Sequence, residues 1–178
     1  MLPQVEAISD GVDRAVETGK PVFVGPGANA WLWGQYALMT IAGMNITRYT
    51  LTLAVRKGAR PILVGPHGTD VVILMDGIFR EVCVREGKPE AYKREDVEFY
   101  AGQYSIGLTA SLLRNGCACL VLVGGLGGGS DSCPAGVARM IGGLVVAGTP
   151  RVLHQGTFAL FADFPLFMDD CFAAGALV

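Results

Sequence analysis

The chain has 178 residues, of which 17% are charged against roughly 25% in an average soluble domain, and glycine fills 25 positions. That length suits one domain with a sizeable core. A net charge of −2 without a basic cluster excludes a nucleic-acid footprint, and so sparse a charge implies that a partner or another copy covers part of the surface.

Val5, Ile8, Val12, Ala15 and Val16 recur at helical spacing opposite Glu6, Asp10, Asp13, Arg14 and Glu17, which predicts an amphipathic helix closed by Gly19. The opening MLPQVEAISD is acidic rather than basic-then-apolar, unlike a signal peptide. Lys20-Pro21-Val22-Phe23-Val24-Gly25-Pro26 then reads as a short buried strand ending in breakers. Residues 21–47 carry no charge, long enough on paper to cross a bilayer, but Pro26, Asn29, Gln35 and Asn45 interrupt them. We expect a mostly helical stretch over 30–58, broken near residues 43–45, whose first half lies in the core or an interface.

Arg60-Pro61-Ile62-Leu63-Val64-Gly65-Pro66 repeats the grammar of Lys20 to Pro26, which predicts a second parallel strand in the same role. A helix over 71–86 follows, with Thr69 and Asp70 as candidate caps, and residues 94–114 read as another amphipathic helix. The most distinctive stretch is 119–136, CLVLVGGLGGGSDSCPAG. Leu120 to Val123 is apolar on both faces, as in a buried parallel strand. It empties into Gly124, Gly125, Gly127, Gly128 and Gly129, then Ser130 and Asp131, before a helix expected near Pro134. Residues 143–148 give a fourth strand, 152–162 a helix and 163–168 a fifth strand, with Asp169-Asp170 capping a last helix.

Strands alternating with helices predict one α/β domain over residues 1–178, a three-layer, Rossmann-like fold with a mainly parallel sheet of about five strands. In such sheets the loops at the carboxyl ends of the strands share one rim, where ligands bind. The candidate ligand-binding residues are therefore Gly27, Asn29, His67, Thr69, Asp70, Gly127, Gly128, Gly129, Ser130, Asp131 and Thr149. Each has a plainer role open to it. Thr69 and Asp70 can cap a helix, His67 can be a turn residue, and Asp131 can cap its helix rather than bind a metal or ribose. The glycines can cradle an anion with backbone N–H groups or simply pack closely against a neighbouring backbone. The loop spells neither G-x-x-x-x-G-K-[ST] nor a clean G-x-G-x-x-G. The five cysteines (Cys83, Cys117, Cys119, Cys133, Cys171) lack metal-finger spacing, so no metal is expected, and free thiols point to a reducing, cytoplasmic setting.

Two resemblances add to this. Gly124-Gly125-Leu126-Gly127-Gly128-Gly129-Ser130 resembles the phosphate-binding loop of the tubulin and bacterial cell-division GTPase family over about a dozen residues. It departs from that family at Asp131, Ser132, Cys133 and Pro134. A longer similarity begins with Ile8 to Glu17 and Gly19-Lys20-Pro21-Val22. It continues through Ile78-Phe79-Arg80-Glu81, Gly87 to Tyr92, Asp96-Val97, Val146-Ala147-Gly148-Thr149 and Phe172-Ala173-Ala174. These segments resemble a prokaryotic domain family of unknown function, usually carried behind N-terminal membrane helices. That resemblance implies no activity and leaves membrane association possible through a partner only. The expectation is a small-ligand-binding or self-assembly module, non-catalytic and homo-oligomeric, taking a small anionic ligand, with the cofactor unknown. The competing class is an enzyme binding a phosphorylated or nucleotide substrate at the glycine-rich loop.

Overall fold

The computed structural model describes residues 3–100, 102–149 and 160–166. Among the described residues five helices, α1 (Pro3–Thr18), α2 (Ala37–Lys57), α3 (Thr69–Arg85), α4 (Tyr104–Asn115) and α5 (Gly128–Met140), surround six strands. The strands are β1 (Val22–Gly25), β2 (Pro61–Gly65), β3 (Val97–Phe99), β4 (Cys119–Val123), β5 (Leu144–Gly148) and β6 (Phe164–Leu166). All pairings are parallel, in the order β3-β2-β1-β4-β5-β6. This is the three-layer, Rossmann-like arrangement, and strand order reverses between β1 and β4.

The apolar runs are explained by the two cores. Along β4, Cys119, Val121 and Val123 face the layer built from α1, α2 and α3, while Leu120 and Leu122 face that of α4 and α5. β1 divides likewise, with Val22 and Val24 on one side and Phe23 on the other. A strand covered on both faces has no solvent side on which to place polar residues, so alternation disappears from its sequence.

Four expectations change. The sheet has six strands, because β3 lies where a single helix over 94–114 is expected. Val97, Tyr100 and Tyr104 are spaced like a helical stripe, but Gly102 at φ +72 separates an edge strand from α4. That edge is held by Arg60, whose guanidinium binds the buried Asp96 carboxylate at 2.9 and 2.6 Å. Second, α2 starts at Ala37 and runs unbroken through Gly43, while residues 30–33 are not helical. Gly43 is not a break: a Cβ there would strike the Val123 carbonyl and the Gly124 Cα, so glycine lets α2 approach the end of β4. Third, α5 begins at Gly128, ahead of Pro134. Fourth, Thr69 and Asp70 are the first residues of α3, whose N-cap, Gly68, receives no side-chain cap bond.

No described helix is long and apolar enough to cross a membrane. The uncharged stretch is partly buried instead: Met39, Thr40 and Ala42 are enclosed, while Leu38 and Ile41 are exposed. Of the helix expected over 152–162 only Leu160 to Ala162 are described, the first two helical. The last helix, with Asp169 and Asp170, lies outside the described residues.

Candidate functional site

The two Gly-Pro turns leave neighbouring parallel strands at one edge, as the β1–β2 register requires. The loops after β1, β2, β4 and β5 meet there and are stitched through their backbones. Asn29 N–H donates to Gly125 O at 2.7 Å and Gly125 N–H to Pro26 O at 2.8 Å. His67 N–H donates to Ala28 O at 3.1 Å, and Gly124 N–H to Gly148 O at 3.0 Å.

The glycine run serves this stitching. Gly124 has φ +128, and a Cβ on it would stand 2.8 Å from Met39 O and 3.0 Å from Pro26 O. On Gly125 a Cβ would meet Asn29 O at 2.6 Å. Gly124 requires glycine for both conformation and close approach, Gly125 for close approach alone. Gly127 is an extended N-cap (φ −95), and around Gly129 the space is open.

Asp131, in the first turns of α5, is fully buried. Its Oδ2 accepts from Gly127 N–H at 2.7 Å, and both carboxylate oxygens accept from Ala28 N–H at 3.1 and 3.2 Å. It therefore pins the start of its own helix and ties it across the β1–β4 reversal to the first loop. An acidic group already occupies the N–H groups that a bound anion would use in that crevice. Burial pushes its pKa up to about 7, against the pull of the two backbone donors and the nearby Tyr104 phenol. Tyr104 is itself buried, with a hydroxyl whose pKa burial and Asp131 raise, and its oxygen has no hydrogen bond of good geometry.

Beside this tie lies a depression of about 200 Å³, lined by His67, Gly102, Gln103, Tyr104, Ser105, Ile106 and Ser130. The His67 ring meets Tyr104 edge-on, with centroids 5.9 Å apart. Two helices begin at its margin, α4 after an N-cap (Gln103) without a side-chain cap bond and α5 with Ser130 in its first turn. The first N–H groups of a helix have no intrahelical partner and carry partial positive charge.

A family model described as a domain of unknown function, DUF6754, matches residues 1–178. The chain belongs to that family. No curated protein and no solved structure matches it.

The DUF6754 fold thus sorts the expected residues. His67 and Ser130 share the depression, with Gly128 and Gly129 opening the adjoining helix. Gly27, at φ +93, and Asn29 belong to the stitched loop, and Gly127 has given its N–H to Asp131. Thr149 is buried at the end of β5. Thr69 and Asp70 are exposed at the start of α3, in the other layer. The start of α4 was not among the expected residues. Gly102 was the signal for it, since a glycine break between Tyr100 and Tyr104 marks a loop at the rim. Among the described residues no three His, Cys, Asp or Glu side chains gather as a metal site needs. Cys83, Cys117 and Cys119 are buried free thiols, and burial raises the Cys117 pKa to about 12, far from a reactive thiolate.

Proposed function

We propose that this DUF6754 chain acts as one α/β unit that binds a small anionic ligand, non-catalytically, in the depression between His67, the first turn of α4 and Ser130. The observation carrying this is the meeting of two helix amino-termini and a histidine at one concavity on the carboxyl rim of a parallel sheet. Helix amino-termini favour anions, and the ring and hydroxyl supply directional hydrogen bonds. A family model spanning 1–178 and one sheet from residue 22 to 166 support a single working unit.

Titration calorimetry and amide shift mapping with inorganic phosphate and AMP test this. We expect binding near 1 mM or tighter, roughly −4 kcal/mol, with shifts at residues 67, 103–106 and 129–130. His67→Ala and Ser130→Ala should each weaken it several-fold. Absence of heat and of shifts with both compounds at about ten times that concentration would overturn the proposal.

One observation favours the enzyme reading, the Asp131 carboxyl with a pKa near 7, where a general acid or base works best. Its complete burial and its backbone ties support a structural role instead. Turnover of AMP or ATP that disappears in Asp131→Asn would favour catalysis.

A further inference from the structure

Away from the rim, a cavity of about 220 Å³ lies between the second half of α2 and the end of α3. α2 leads into β2 and α3 toward β3, so both helices finish at the amino ends of parallel strands, the edge opposite the His67 depression. The cavity lining includes Arg48, Tyr49, Thr52, Arg56, Arg85 and Glu86. Arg48, Thr52 and Arg56 recur every four residues, which sets them on one face of α2, a helix without a single Asp or Glu. Arg85 and Glu86 close α3 beside them.

The carboxylates at hand do not balance these cations. Glu86 accepts from Arg56 Nε and Nη2, both at 2.9 Å, and that pair is neutral within itself. Arg48 and Arg85 instead share Glu81, at 3.1 and 3.4 Å, and Glu81 stands outside the lining. Three guanidiniums thus meet two carboxylates, a positive surplus in a chain of net charge −2. Both shared bonds are made by Nη1, so among the described residues the Nε–Nη2 edges of Arg48 and Arg85 are unengaged. That edge, the one Arg56 offers to Glu86, takes two oxygens of one oxyanion side by side. Tyr49 makes no hydrogen bond among the described residues and keeps a hydroxyl proton to give, whereas Thr52 spends its own on Arg48 O at 2.8 Å. The depression beside His67 has no arginine or lysine in its lining, so the two concavities differ in kind.

We infer that this cavity binds a compact phosphoryl polyanion of the pyrophosphate class, gripped between the guanidinium edges of Arg48 and Arg85 with the Tyr49 hydroxyl beside them. Two forks from neighbouring helices suit a ligand with two oxyanion groups, and the surplus cation favours a multiply charged one. NMR of the intact chain titrated with inorganic pyrophosphate tests it. We expect saturable shifts at the Nε–H groups of Arg48 and Arg85 and at amides 48–56 and 82–86, with a dissociation constant of about 1 mM or tighter. Arg85→Gln should weaken binding by about tenfold, and Arg85→Lys, which keeps the charge and loses the fork, by about threefold or more. The Arg85 side chain is exposed and its ion pair carries little stability, so both variants should fold. Glu81→Gln, which removes the competing carboxylate, should tighten binding by about threefold. His67→Ala should leave these shifts unchanged, which separates failure here from failure of the rim site. Absence of shifts over 48–56 and 82–86 at about 10 mM pyrophosphate overturns the inference. So does Arg85→Gln without effect, weaker binding in Glu81→Gln, or citrate bound more tightly than pyrophosphate.

Discussion

Asp131 is the residue at which chemistry and architecture meet. Its pKa, near 7 in the folded chain, lies above the ordinary value of 3.8. A raised folded-state pKa means that the native state holds its proton more tightly than the unfolded state does. The associated stability is fully present below the ordinary carboxyl range and is lost as pH rises through about 7. Chemical denaturation between pH 4 and pH 8 should therefore show stability falling, with a slope approaching about 1.4 kcal/mol per pH unit from this one group. Asp131→Asn should flatten that slope and leave the protein less sensitive to alkaline pH. An unchanged slope in Asp131→Asn would show that other groups set it. The sequence marked Asp131 as a cap or a ligand. Neither description includes Ala28, more than a hundred positions earlier, because only the sheet order brings the two together. His67 and Ser130 were legible as rim residues, since parallel strands put their carboxyl ends on one edge. Gln103, Tyr104 and Ser105 were hidden inside an apparent helical stripe.

At the scale of elements the glycine loop divides into a packed half and an open half. Gly124→Ala forces a Cβ into a left-handed backbone position and toward two carbonyl oxygens, and should cost about 3 kcal/mol. Gly129→Ala, in the first turn of α5 with open space around it, should be neutral or stabilising by up to about 1 kcal/mol. Urea denaturation of both variants separates the two halves, and equal costs would show that the loop is not divided. The strands were legible because burial on both faces writes them as apolar runs between breakers. β3 was not, because its three residues are too few for a period of their own and their spacing to Tyr100 and Tyr104 imitates a helix. The expected interruption of α2 failed for a different reason. Glycine there answers to the β4 backbone beside it rather than to local helix propensity.

At the scale of the molecule, the described residues form two three-stranded halves joined at β1 and β4. Within the halves, neighbours in the sheet are neighbours in sequence: β1 pairs with β2 from residues 22 and 61, and β4 with β5 from 119 and 144. The seam pairs residue 22 with residue 119, and the Asp131 tie to Ala28 closes beside it.

That seam governs the order of events when the chain folds. Joining segments roughly a hundred residues apart carries the largest loop-closure entropy of any pairing in the sheet, so each half can form before the two meet. We expect the meeting to be the slow step, with contacts across the seam formed in its transition state. Val121→Ala, which thins the strand at its pairing with Val24, should lose about 2 kcal/mol and show most of that loss as slower refolding. Leu166→Ala, at the far edge on β6, should refold at nearly the original rate and unfold faster. Stopped-flow chevrons decide between this order and one in which both substitutions divide their effect equally between the two limbs.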